Sequence, residues 1–168
     1  QHSLQCGEVL LALYQGDLRT AWSVAGTWCQ TLHASHLRRS AIHAQARQLR
    51  GLAGLGLLAS LPRGSEQRGL HKELQAIVRE SKSELLRAGL ACQLGSDEGA
   101  VAALRAVGAN QAGWPNLLNV QAARRRLGER LGGEEGRSLI READGFFAQA
   151  HIRDRERFLS VIFPGSER

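Results

Sequence analysis

A helix that stops at Gly16 and restarts at Asp17 constrains this chain more than any other feature. Residues 12–25 read Ala-Leu-Tyr-Gln-Gly-Asp-Leu-Arg-Thr-Ala-Trp-Ser-Val-Ala. The apolar helical run before the turn ends at Gly16. Glycine closes a helix at little cost because it enters the left-handed conformation freely. Asp17 is placed to accept a hydrogen bond from the free N–H groups of the next helix. The small side chain of Ala21 lets that second helix lie close to the first. The stretch predicts a tight helix–turn–helix hairpin.

The pattern recurs at residues 91–104, Ala-Cys-Gln-Leu-Gly-Ser-Asp-Glu-Gly-Ala-Val-Ala-Ala-Leu, with Gly95, Ser96 and Ala100 standing for Gly16, Asp17 and Ala21. The two glycines are roughly two helical-hairpin periods apart. These turns resemble tetratricopeptide repeats, helix-pair solenoids that bind other proteins. The turn half of the motif matches. Where the motif has a second alanine, Trp28 and Val107 stand instead, and no proline closes either copy.

The remaining chain predicts helices throughout. Apolar residues recur at helical spacing over residues 3–15 (Leu4, Val9, Leu10, Leu13) and 17–33 (Leu18, Trp22, Ala25, Cys29, Leu32). A third helix, capped by Ser35, is expected over 36–60. Its glycines Gly51, Gly54 and Gly56 lower helix propensity, which makes sense where a neighbouring helix crosses closely. Further helices are expected over 67–80, 82–94, 97–111, 116–131 and 134–150, with Pro115 opening the seventh and Gly132-Gly133 closing it. Residues 67–94 read either as one helix or as two, with only Ser81 and Ser83 pointing to a break. Asp154 caps a last short helix. No stretch alternates over strand length, and three prolines, four phenylalanines and one tyrosine are few for a strand-rich fold. The expected class is all-α: antiparallel helical hairpins stacked as a tetratricopeptide-like array of about eight or nine helices. The array forms one helical-repeat domain over 1–168, divisible at Leu61-Pro62-Arg63-Gly64-Ser65 into sub-units 1–61 and 66–165.

A second resemblance lies in the C-terminal third. Residues 122–133, Ala-Ala-Arg-Arg-Arg-Leu-Gly-Glu-Arg-Leu-Gly-Gly, are followed by Glu134-Glu135-Gly136-Arg137, then by Ala143-Asp144, the aromatic pair Phe146-Phe147 and a tail with Phe163-Pro164-Gly165. This is similar to the C-terminal region of large bacterial multidomain regulators. In those, a serine/threonine kinase domain and a signal-transduction ATPase module precede a helical-repeat region. The likeness covers about residues 84–165; tryptophan is expected in that family's eighth helix where Phe146-Phe147 stands. It implies a regulatory or scaffolding segment of a cytoplasmic bacterial signalling protein, not a kinase. The opening Gln-His-Ser, inside a helical pattern and without methionine, likewise reads as part of something larger.

Catalytic signatures are missing. There is no phosphate-binding loop, no His-Arg-Asp, and Asp144-Gly145-Phe146 has the wrong order for a metal-binding Asp-Phe-Gly. Residues 54–59, Gly-Leu-Gly-Leu-Leu-Ala, formally match a dinucleotide fingerprint, but their flanks are helical and close helix packing is the preferred reading. Cys29, His33 and His36 would share a face of one continuous helix and are candidate zinc ligands, with His43 beyond a bend. A buried cysteine beside two exposed histidines at an interhelix turn is the plainer account. No cofactor is expected.

The net charge of +6 and a pI near 10.2 raise nucleic acid as a partner. The arginines, however, are spread along the chain and alternate with acids. Three distant cysteines point to a reducing compartment, and the longest apolar run, residues 51–61, is too short to span a bilayer. The expected function is non-catalytic: a protein–protein interaction module presenting a groove to a peptide, to another domain of the same chain or to a second copy. The alternative is a nucleic-acid-binding helical array. Candidate groove residues come from the first helix of each pair: Gln5, Glu8 and Tyr14, then His43, Arg47 and Arg50. Arg124 and Arg125 are further candidates for an acidic partner, and Arg38-Arg39 with Arg47 and Arg50 would extend a basic groove.

Overall fold

Gly16 has a φ of +80°, and the chain around it closes as expected. The Asp17 N–H donates to the Ala12 carbonyl (2.9 Å) and the Gly16 N–H to the Leu13 carbonyl (3.1 Å). This pair of bonds satisfies the last carbonyls of the first helix. Asp17 then accepts from the Thr20 N–H at 3.2 Å and starts the second. The structure, a computed structural model, describes residues 2–94, 97–109 and 116–164. The second glycine turn, at Gly95 and Ser96, lies outside the described residues, as do Trp114 and Pro115.

Among the described residues the fold is all-helical, with nine α-helices and no strand. They are α1 (His2–Gln15), α2 (Leu18–His33), α3 (Ala41–Ser60), α4 (Ser65–Ser81), α5 (Glu84–Leu94), α6 (Asp97–Ala109), α7 (Asn116–Leu131), α8 (Gly133–Gln149) and α9 (Arg155–Ile162).

The third helix differs from its expected form. Ser35 caps only a 3-10 turn, His36–Arg39; its hydroxyl accepts from the Leu37 N–H. Ser40 is extended, with ψ of 163°, and its hydroxyl accepts from the His43 N–H at 3.2 Å, so α3 starts afresh at Ala41. Two serines competing for backbone donors five residues apart break what apolar periodicity alone joins. Lys82, at φ 53°, separates α4 from α5, and the Ser83 hydroxyl accepts from the Leu86 N–H. Asp154 caps α9 through the Arg157 N–H (2.9 Å).

Helix α3 organises the packing. It touches α1, α2, α4 and α5. Its glycines are where neighbours come closest: a Cβ on Gly54 would stand 2.6 Å from both Leu74 and Trp22, and one on Gly56 would stand 2.7 Å from Leu18. Gly51 faces Leu86 in the same way, and Gly89 of α5 faces Leu55. Residues 54–58 of that stretch are therefore a buried helix crossing, and Ala59 is exposed. Helices α7 and α8 repeat the device, Gly128 lying against the backbone of Gly136.

Neighbours in sequence pack in turn from α1 to α4 and from α5 to α8, but α9 returns to α1 and α7. A solenoid joins each repeat only to its neighbours; this return contact is of another kind. One core runs from Val9 to Phe163, with Trp28, Phe147 and Phe163 as its largest fully buried side chains. Among the described residues, no helix is long and apolar enough to cross a membrane.

Candidate binding cleft

The break between α2 and α3 opens a cavity of about 650 Å³. The end of α2 supplies Cys29, Gln30, His33 and Ala34, the 3-10 turn Arg38 and Arg39, α3 His43, Arg47 and Arg50, and α4 Ile77 and Glu80. The arginines of α3 fall at helical spacing on the face that meets α4. They do not reach the cavity alike. Arg47 donates to Glu80 at 2.8 Å. Arg50 pairs with Glu73, and its guanidinium lies 4.7 Å from the centre of the Trp22 ring. Arg38 and Arg39 are exposed at the rim and have no acidic partner among the described residues. With Arg47 and Arg50 answered by Glu80 and Glu73, Arg38 and Arg39 leave the cleft basic.

His43 is fixed by the same break. Its Nδ1 lies 2.5 Å from the Arg38 carbonyl. A carbonyl only accepts, so Nδ1 carries the proton. The ring centre of His33 is 6.0 Å away. Cys29 is buried; burial pushes its thiol above the ordinary value, against the opposing pull of Arg50 and Arg47. Cys29 therefore belongs to the floor of the cleft as a neutral thiol.

The structure does not gather Cys29, His33 and His36 as ligands. Helix α2 ends at His33, and His36 lies on the separate 3-10 turn. Among the described residues no group of three His, Cys, Asp or Glu side chains is placed to hold a metal ion.

Of the sequence-derived groove residues, His43, Arg47 and Arg50 line the cleft, whereas Gln5, Glu8, Tyr14, Arg124 and Arg125 do not. Tyr14, on the exposed side of α1, has the Arg157 guanidinium 5.3 Å from its ring centre. Glu8 is exposed. Arg124 packs its stem near Gly108. Arg125 is engaged inside the chain, by Asp144 (2.9 Å), Glu156 (2.7 Å) and Glu129. Burial works against its charge, but these carboxylates outweigh burial and raise its pKa. Its neighbour Arg126 is buried and pairs with Glu129 at 2.8 Å.

Sequence reading named Arg38 and Arg39 only as an extension of the groove, and missed Ile77 and Glu80. Only the fold brings α4 beside α3. No family model, curated protein or solved structure matches the chain.

Proposed function

We propose that this chain is a non-catalytic, helical protein-interaction module, and that it binds an acidic segment of a polypeptide in the cleft between α2, α3 and α4. The observation that carries this reading is the pair Arg38 and Arg39, exposed at the rim of a basic cavity without acidic partners among the described residues. Exposed unpaired guanidinium groups beside an apolar floor offer bidentate sites for carboxylates. The volume suits a few side chains of an extended segment. The tetratricopeptide-like turn at Gly16 supports the same class of function, as does the likeness of residues 122–137 to the C-terminal region of bacterial multidomain signalling regulators. Free Cys6, Cys29 and Cys92 fit a cytoplasmic setting.

The basic balance does not by itself favour nucleic acid. Many arginines are answered by acids of other helices, as in Arg19–Glu66, Arg130–Asp97 and Arg125–Glu156. A phosphate backbone would meet separated charges rather than a continuous stripe.

The test is fluorescence anisotropy with a labelled, glutamate-rich peptide and with a labelled single-stranded oligonucleotide, each over a salt series. The expected result is saturable peptide binding, weakened at least about tenfold by Arg38→Glu with Arg39→Glu. Peptide binding that ignores the double variant overturns the site. Oligonucleotide binding that is tighter than peptide binding and falls steeply with salt replaces the reading.

A further inference from the structure

Helix α1 is apolar on both of its sides. Val9, Ala12 and Leu13 are buried, and the helix touches α2, α3 and α9. On the side turned to solvent, Leu4 is 77% and Leu11 56% exposed, and Leu10 and Tyr14 are exposed with them. Glu8 is the one carboxylate of the helix. Among the described residues, α1 is also the one α-helix with neither lysine nor arginine. A helix that is hydrophobic all round belongs in an interior. The exposed face shares no residue with the cleft between α2, α3 and α4.

The spacing of this face is informative. Leu4, Gly7, Leu11 and Tyr14 follow one another by three, four and three residues, the seam of a helix that packs along another helix. A Cβ built on Gly7, in the middle of the seam, meets nothing within 4 Å. Elsewhere in the fold, helical glycines mark where two helices cross. Gly54 lies against Leu74 and Trp22, and a Cβ on Gly128 would stand 2.6 Å from the Gly136 carbonyl oxygen. Two other helical glycines, Gly69 and Gly145, are open like Gly7. They differ in what stands one turn away: Glu66 and Lys72 around Gly69, Arg141 and Glu142 around Gly145, but Leu4, Leu10 and Leu11 around Gly7. Charged side chains suit a glycine left to water, and leucines suit one at a crossing.

We propose that this face is where two copies of the chain meet, α1 against α1, about a twofold axis that brings the two Gly7 backbones together. Leu4, Leu10, Leu11 and Tyr14 of each copy close around that contact. A twofold interface has to complement itself. An apolar seam with a glycine at its centre does so, and Gly128 against Gly136 is the same pairing within one chain. Charge favours α1 for this purpose. The chain carries a net +6, so two copies repel each other unless they meet on a surface free of basic side chains, and the α1 seam offers one. Glu8 and the Arg157 guanidinium, stacked on Tyr14, stand at its margin. A pair of 14-residue helices is about 21 Å long. It buries less than the roughly 800 Å² per partner of a standard interface, which sets the dissociation constant at about 10–100 µM.

The experiment is sedimentation equilibrium of the chain over about 5–500 µM. A reversible monomer–dimer equilibrium is expected. Leu4→Lys with Leu11→Lys, both at exposed positions, keeps the helical dichroism of the parent and stays monomeric. Gly7→Ala, whose methyl is free in a single copy, folds as well as the parent in dilute solution and weakens the dimer at least about tenfold. A parent chain that stays monomeric to the highest concentration overturns the proposal, as does either variant dimerising like the parent. Sedimentation of the chain with phosphatidylcholine vesicles is the second arm. Vesicle binding by a monomeric chain, lost in the double lysine variant, overturns the proposal in favour of a lipid surface. None of these results bears on peptide binding at the cleft between α2, α3 and α4.

Discussion

Gln93 and Pro164, 71 positions apart in the chain, are joined by a hydrogen bond of 2.9 Å from the Gln93 amide nitrogen to the Pro164 carbonyl. The same nitrogen donates to Leu55, so one side chain ties α5, the middle of α3 and the segment after α9 together. Pro164 in turn covers Gly56, and Phe163 beside it is fully buried. Gln93→Ala is expected to cost about 1–3 kcal/mol through the lost bonds. Phe163→Ala leaves a cavity and is expected to cost about 3–5 kcal/mol. Urea denaturation with an unchanged slope checks both.

The helical glycines divide into two groups with opposite expected signs. Gly54→Ala forces its new methyl against Leu74 and Trp22 and is expected to destabilise by about 1–3 kcal/mol. Gly7→Ala in α1 and Gly145→Ala in α8 place the same methyl in open space. There the higher helix propensity of alanine governs, and stability rises by about 0.5–1 kcal/mol each. Thermal melting of the three single variants distinguishes the groups.

Stability falls at both ends of the pH range, for different groups. Burial raises the thiols of Cys29, Cys92 and Cys6 above 9.0, so the folded chain keeps protons that the unfolded chain has lost. Their contribution is complete below pH 9 and is lost as the pH rises further. The hydrogen bonds from Thr20 lower Asp17 below 3.8, so its contribution is present above that value and is lost as acid protonates it. Asp17→Asn flattens part of the acid limb only. Urea midpoints across the pH range give both limbs. Alkylation at neutral pH labels half-buried Cys6 before Cys29 or Cys92.

Arg126 and Glu129 respond unequally to substitution. Arg126 is 5% exposed, and its Nε and Nη2 have no partner among the described residues. Replacing it with methionine removes a poorly satisfied charge from the interior, and the expected change in stability is within about 1 kcal/mol of zero or favourable. Glu129→Ala strips the shared carboxylate from both Arg125 and Arg126 and is expected to cost about 2 kcal/mol. Chemical denaturation of the two variants and their combination measures the coupling.

The helices were legible because each has its own local cause. Gly16 with Asp17, Gly132 with Gly133, and Asp154 each mark an end that three or four neighbouring residues determine. The division at Lys82 was visible only through its flanking serines, and the restart at Ser40 was not foreseen. Both depend on which of two nearby hydroxyls captures a backbone N–H, a choice that tertiary packing makes. The glycines of α3 announced a close crossing but not its partners. Half of the cleft was likewise legible: His43, Arg47 and Arg50 share one helix face, whereas Glu80 joins them only because α4 lies across α3. Arg125 shows the limit of composition, since three acids from three stretches of the chain claim it.

The return of α9 to α1 also bears on how the molecule is made. On a ribosome α1 emerges long before α9 exists, so the face that ends beside Arg157 waits through most of synthesis. Contacts this distant in sequence are slow to find, because the intervening chain must be ordered before they reward it. Pairs such as α1 with α2 assemble early and locally, whereas the α1–α9 contact forms only once the seven helices between them have been made.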